Sequence, residues 1–189
     1  MPLLYYFAYG SNMLASRLQA RTPSARRLGV AKLPGWQLRL HKVGSDGSGK
    51  GDIVPAAGEQ VTGVLYRLRA RELRRLDLAE GAGYVRRRIT VQFGGRSQRC
   101  ETYIATRVDP ALRPFDWYRR LLAAGLLENA IGGAMLQRVL EAPALPDPRP
   151  FRPARLRAIR ALEGFARLHP ELAHRDIASA PQAVGSTDS

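Results

Sequence analysis

The chain has 189 residues, 45% of them hydrophobic and 24% charged, with a formal net charge of +14. That length supports one well-buried core and one main domain, and no apolar run reaches the ~20 residues that a membrane-spanning helix needs, so no membrane association is expected. Cys100 is the single cysteine, which excludes an internal disulfide and a cysteine-built metal site. The histidines, His41, His169 and His174, sit at no metal-ligand spacing, so neither a metal nor any other cofactor is expected.

The start, Met1-Pro2-Leu3-Leu4-Tyr5, lacks the basic opening and small-residue cleavage site of a signal peptide. With the lone cysteine, it points to a reducing cytoplasm. The positive charge would suit a polyanion binder. Yet only three of the 30 basic residues are lysine (32, 42 and 50), and arginine with abundant Ala, Leu, Gly and Pro reads as the product of GC-rich coding. The basic clusters, Arg26-Arg27, Arg67 to Arg75, Arg86 to Arg88 and Arg149 to Arg160, are also scattered along the sequence. A nucleic-acid partner is not expected.

Tyr5 to Tyr9 is an aromatic strand that stops at Gly10. Ser11 and Asn12 bond readily to nearby backbone, so either caps a helix opening with Met13-Leu14-Ala15-Ser16-Arg17-Leu18. A strand that breaks at Gly10-Ser11-Asn12 into a helix leaves several N–H groups aimed at one spot, an anion or oxyanion site. Plain strand-to-helix turns share that pattern. Leu28 to His41 is extended, with strict alternation over Leu38-Arg39-Leu40-His41. The Gly-rich loop 44–51 nearly spells a phosphate-cradling loop, but Gly51 stands where Ser or Thr must hold magnesium. The following Asp52-Ile53-Val54-Pro55 is extended rather than helical, so a nucleotide site is rejected.

Val61 to Leu68, rich in β-branched residues, is the strongest strand. A helix from Arg69 to Ala79 carries Leu73, Leu76 and Ala79 on one face and breaks at Glu80-Gly81-Ala82-Gly83. Tyr84 to Phe93 turns at Gly94-Gly95 and returns through Cys100 to Thr106 as a hairpin. Helices follow over 116–122 and 128–141, broken at Gly125 and at the Pro143 to Pro150 run, a stiff connector. On the last helix, Leu156, Ile159, Leu162, Phe165 and Leu168 form an apolar stripe that fits packing on the domain, and would also serve a homodimer. The small, polar stretch 178–189 reads as disordered. Strand, helix, a β-rich middle, a hairpin and terminal helices together argue an α+β domain with a mixed or antiparallel sheet.

Glu80 is the carboxylate with the strongest chemical case. It ends an amphipathic helix, where the helix dipole disfavours an acid. Turned inward, it would be raised by burial toward the range a general base needs; turned outward, it is a solvated last-turn residue near Arg86 to Arg88. Asp77 lies one turn earlier and is as easily read as surface charge. Ser11 has no histidine at a telling position and no nucleophile elbow around it.

Tyr6-Phe7-Ala8-Tyr9-Gly10-Ser11-Asn12-Met13 resembles the opening motif of the γ-glutamylcyclotransferase, or AIG2-like, family. Gly51 to Pro55 with Gly63-Val64-Leu65-Tyr66 is similar to its next block. Leu76 to Gly81, with Tyr84 and Arg86, is similar to the block carrying its catalytic glutamate. Tyr103-Ile104-Ala105, Trp117-Tyr118-Arg119 and Gly125 to Asn129 resemble later ones. The resemblance implies a small mixed β-barrel flanked by helices over 1–142, with 143–177 as a Pro-rich connector and a helix packing on that domain. It also implies intramolecular aminolysis of a small γ-glutamyl compound, releasing 5-oxoproline and a free amine without a cofactor. Glu80 would be the catalytic acid/base. The γ-glutamyl group would be held by Tyr6, Phe7, Ala8, Tyr9, Gly10, Ser11 and Asn12, with Tyr118 a substrate contact and Tyr84 and Tyr103 lining the pocket. The loop 44–51 offers no evident substrate-reading residue, which leaves the identity of the departing amine open. A non-catalytic module with a basic surface and an amide hydrolase using Glu80 on water are the alternatives.

Overall fold

The computed structural model describes residues 2–173; the segment 178–189, read above as disordered, lies outside them. Strands β1 (Leu3–Ala8), β2 (Arg26–Val43), β3 (Gly49–Arg69), β4 (Tyr84–Phe93) and β5 (Arg96–Ala105) close into a barrel in the order β1-β3-β2-β4-β5. All pairings are antiparallel except the closure of β1 on β5, which is parallel at Tyr6 and Glu101. This is the small mixed barrel expected. The stretches read as separate extended segments around Asp52 and Val61 are one strand of 21 residues. It pairs with β2 through register shifts at Arg27/Gly29, Pro34/Trp36 and Arg39/Lys42, and such bulges let a long hairpin bend into a barrel. Gly94 and Gly95, with φ of 56° and 75°, give the β4–β5 hairpin the left-handed pair its tight turn demands.

Helices flank the barrel: α1 (Ala15–Arg21), α2 (Leu73–Glu80), α3 (Asp116–Glu128), α4 (Gly133–Glu141), α5 (Pro153–Leu168) and a short α6 (Pro170–Ala173). Phe7, Ile53, Leu65 and Tyr66 fill the barrel side of the core, while Leu18, Leu121 and Leu126 bring in the helices. Four helices differ in their boundaries from the sequence reading. The helix expected from Arg69 opens only at Leu73, because β3 runs to Arg69 and a 3-10 turn over Ala70–Glu72 intervenes. The first helix begins at Ala15, after a 3-10 turn over Ser11–Met13, and neither Ser11 nor Asn12 caps it. Its Ala15 N–H donates instead to Glu128 Oε2 at the far end of α3, at 2.8 Å. The expected break at Gly125 is absent, because α3 runs through it to Glu128. The chain turns at Ala130, with φ of 53°, so α4 starts at Gly133 rather than at 128. On α5 it is Ala158 and Phe165 that are buried, whereas Leu168 of the expected stripe is 72% exposed.

Gly125 is glycine for the sake of packing. A Cβ there would stand 2.9 Å from Leu14 N and 2.9 Å from Met13 Cβ, atoms fixed to the backbone that cannot swing aside. Gly164, inside α5, has nothing within 4 Å of the same position. Gly125→Ala is therefore expected to destabilise by roughly 1–2 kcal/mol, overpacking outweighing the helix-propensity gain. Gly164→Ala is expected to stabilise by about 0.5–1 kcal/mol. Thermal unfolding of the two variants checks the opposite signs.

Candidate active site

Gly10 ends β1, and the 3-10 turn that follows closes through Met13 N–H to Gly10 O at 2.9 Å. The N–H groups of Gly10, Ser11 and Asn12 meet no protein acceptor among the described residues, as the first donors of a helical turn do when nothing caps them. The Asn12 side chain, 4% exposed, turns away from the backbone into a polar knot. Its Nδ2 donates to Tyr6 Oη at 2.9 Å and to Glu80 Oε1 at 2.7 Å. Arg21 Nη1, from the end of α1, donates to Asn12 Oδ1 at 2.8 Å and to the same Glu80 Oε1 at 2.9 Å.

Glu80 is the last residue of α2, released by Gly81 at φ 72°. Its side chain is turned inward, 17% exposed. Asn12 and Arg21 both fasten Oε1; Oε2 accepts no hydrogen bond among the described residues. One oxygen is thus held in place while the other is left without a protein partner, and Glu80 lines a cleft of ≈ 370 Å³ with Ser11, Tyr84 and Tyr118. Asp77 points elsewhere: it accepts from Tyr103 Oη at 2.7 Å and from Arg86 at 2.9 Å.

Of the residues assigned to substrate by resemblance, Ser11, Tyr84 and Tyr118 line the cleft. Tyr6, Tyr9 and Tyr103 stand behind it. Tyr6 holds Asn12, Tyr9 donates to the Tyr103 carbonyl, and the rings of Tyr6 and Tyr84 meet Tyr103 edge-on at 6.0 and 6.4 Å. Phe7 and Ala8 are fully in the core and line no part of the cleft; Phe7 O accepts from Thr102 Oγ1 at 2.9 Å, tying β1 to β5. Tyr118 Oη accepts from Gly51 N at 2.9 Å, and Tyr84 Oη donates to Gly51 O. Two phenols therefore clamp the start of β3 at Gly51. Burial pushes the Tyr118 phenol up to about 12, with Glu80 adding to it, and burial raises those of Tyr6, Tyr9 and Tyr84 as well. All are neutral hydrogen-bonding walls near pH 7, not bases.

The loop 44–51, read as offering no evident substrate-reading residue, is tied into the site. Asp46 accepts from Ser48 N and Oγ and from Lys50 Nζ, the last at 2.7 Å. Burial pushes the Asp46 carboxyl up, but the Lys50 ammonium and Ser48 outweigh it and hold the group below its ordinary range. Lys50 in turn lies 4.7 Å from the Trp117 ring centroid and 4.8 Å from that of Tyr118. With Asp46 spent on Lys50 and Ser48, Glu80 is, among the described residues, the one carboxylate of the cleft with an oxygen free for chemistry. Asp52 is structural: 2% exposed, it accepts from Ala105 N at 2.8 Å and pairs with His41 at 3.0 Å. Among the described residues no group of three or more His, Cys, Asp or Glu could hold a metal ion, and no helix is long and apolar enough to cross a membrane.

The cations of the cleft escaped the sequence reading. Arg17 and Arg21 come from α1, Lys42 from the end of β2, Lys50 from the start of β3, Arg152 from the N-cap of α5 and Arg157 from α5 itself. Clusters that look scattered along the chain converge in space. Two of the three lysines lie here, and lysine in so arginine-rich a sequence was the available signal. The helix set apart beyond residue 142 is a wall of the cleft.

Comparisons with known proteins agree with this layout. The family model "Gamma-glutamyl cyclotransferase, AIG2-like" matches residues 6–119. Human γ-glutamylcyclotransferase is 31% identical over 135 residues, 67% of this chain and 71% of the relative, and its mouse counterpart is 32% identical over the same extent. Among solved structures, a γ-glutamyl cyclotransferase superposes with a TM-score of 0.75 at 24% identity, covering 84% of this chain and 99% of the other. An uncharacterized human protein superposes at 0.74 and 25% identity, covering 85% and 99%.

Proposed function

The chain belongs to the γ-glutamylcyclotransferase, AIG2-like family, and from that premise we propose that it is an enzyme cleaving a small γ-glutamyl amide to 5-oxoproline and a free amine, with Glu80 as general acid/base. The observation that carries this reading is the Glu80 carboxylate, which lines the cleft with Oε1 fixed by Asn12 and Arg21 and Oε2 without a partner among the described residues.

The chemistry that such a site supports is short. The substrate's α-ammonium gives one proton to Glu80 Oε2, and the resulting amine attacks the γ-carbonyl carbon. The tetrahedral oxyanion that forms finds donors in the uncapped N–H groups of Gly10, Ser11 and Asn12. Glu80 hands that proton to the departing nitrogen and takes a second from the ring nitrogen. The C–N bond then breaks and Glu80 passes the second proton to the freed amine, so that lactam and ammonium leave with the carboxylate restored. Because nucleophile and electrophile share one molecule, orientation contributes on the order of 7–11 kcal/mol, and the protein supplies a proton relay and oxyanion donors. Buried, neutral tyrosines exclude water that would otherwise compete as nucleophile.

Incubation of the full chain with γ-glutamyl dipeptides and amines is expected to release 5-oxoproline stoichiometric with free amine. Free glutamate as the product would replace this reading with an amide hydrolase.

A further inference from the structure

The cleft holds more positive charge than a γ-glutamyl group can balance. Arg21 is compensated by Glu80, Lys50 by Asp46 and Arg152 by Asp147. Three other cations lining it have no carboxylate partner among the described residues. Lys42 is 4% exposed, with its ammonium 4.6 Å from the Tyr84 ring centroid and no hydrogen-bond acceptor. Burial holds it below the ordinary lysine range, although Glu80 pulls the other way. Arg17 has only the Ser11 hydroxyl, at 3.1 Å; burial lowers its pKa to about 10, Arg21 adding to the effect. Arg157, exposed on α5, donates to nothing among the described residues. Lys42 and Arg17 are thus partly desolvated without a counter-charge, a cost that a ligand carboxylate would offset, whereas Arg157 is an exposed cation at the rim.

A second cavity, of ≈ 530 Å³, adjoins the cleft between α1 and α5. The two share Arg17, Arg21, Ala79 and Arg157, and the second adds Arg160 beside the small side chains of Ala20 and Ala161. Among the described residues no carboxylate lines it.

The charges can be counted against the substrate. A γ-glutamyl group brings one carboxylate, which suits Lys42 beside Tyr84 and Glu80. A neutral amino acid as leaving group brings one more, which leaves at least one arginine of the α1–α5 groove unmatched. We infer that the departing amine is a dicarboxylic amino acid, seated with its two carboxylates on Arg17, Arg157 and Arg160 while Lys42 holds the γ-glutamyl carboxylate. The inference rests on the cyclotransferase reading. A γ-glutamyl-ε-lysine substrate would place an ammonium among these arginines and is a poor fit.

γ-Glutamyl-glutamate and γ-glutamyl-glutamine are nearly isosteric and differ by one charge, so 5-oxoproline release from each isolates the effect. The expected kcat/KM ratio favours the glutamate compound by about 10- to 100-fold, the value of one charge-assisted contact, and contracts as salt is added. Arg157→Gln and, separately, Arg160→Gln are expected to bring the ratio toward one. A wild-type ratio at or below one, or a ratio unmoved by both replacements, overturns the inference and leaves the cyclotransferase reading standing. No 5-oxoproline from either compound or from γ-glutamyl-alanine overturns both.

Discussion

Glu80→Gln is expected to lower kcat for 5-oxoproline release by about 10²- to 10⁴-fold, the usual share of a positioned acid/base, while leaving the protein folded. The amide keeps an oxygen where Oε1 accepts from Asn12 and Arg21, so the knot at the end of α2 retains its geometry. What disappears is the proton acceptor at Oε2. KM is expected to move far less than kcat, because the interaction lost is one made in the transition state. Asp77→Asn is the companion measurement. Asp77 is 41% exposed, holds Tyr103 and Arg86, and does not line the cleft; its replacement is expected to cost no more than about tenfold, through looser packing of Tyr103. Equal losses for the two variants, or full activity in Glu80→Gln, would remove Glu80 from the mechanism.

The barrel was legible because its signals are local. Alternation over Leu38 to His41, β-branched residues over Val61 to Leu68 and a Gly94-Gly95 turn each act within a few residues, and all became strands or turns of the closed sheet. The same local logic fails at Asn12. A polar residue at a strand-to-helix turn reads as a cap, but a stronger set of partners, Tyr6, Arg21 and Glu80, takes its side chain. The helix is capped by Glu128 from across the molecule. Gly125 misleads for a related reason, since its lack of a side chain answers Met13 and Leu14 rather than a turn of its own. The resemblance pointed to the glutamate and the glycine turn, and could not supply the cations. Lys42, Arg17 and Arg157 lie on three elements far apart in sequence, and only closure of β2 and packing of α5 bring them to one cleft.

Asn12→Asp tests whether that rewired turn tunes the catalyst, and it does so through pH. The replacement is isosteric, but it sets a carboxylate where Nδ2 now stands 2.7 Å from Glu80 Oε1. Two carboxylates at that distance cannot both be charged without strong repulsion, so the pair retains a shared proton well above the pH at which an isolated acid loses it. Arg21 Nη1, within 2.9 Å of both partners, softens the repulsion without removing it, and the buried Tyr6 phenol, raised by desolvation, stays neutral and donates to the new acid. The sign follows from the base's need to be deprotonated: the acid limb of kcat/KM moves to higher pH, by about one unit or more. At a fixed pH on that limb, activity falls about tenfold for each unit of displacement, and raising the pH restores it. A merely structural role for Asn12 predicts something different, a loss of rate with the limb left in place. Asn12→Ala supplies that control, since it frees Glu80 Oε1 of one donor and adds no charge. Full pH–rate profiles of the two variants, read beside their thermal unfolding, separate a residue that orients the Glu80 carboxylate from one that only fills the turn.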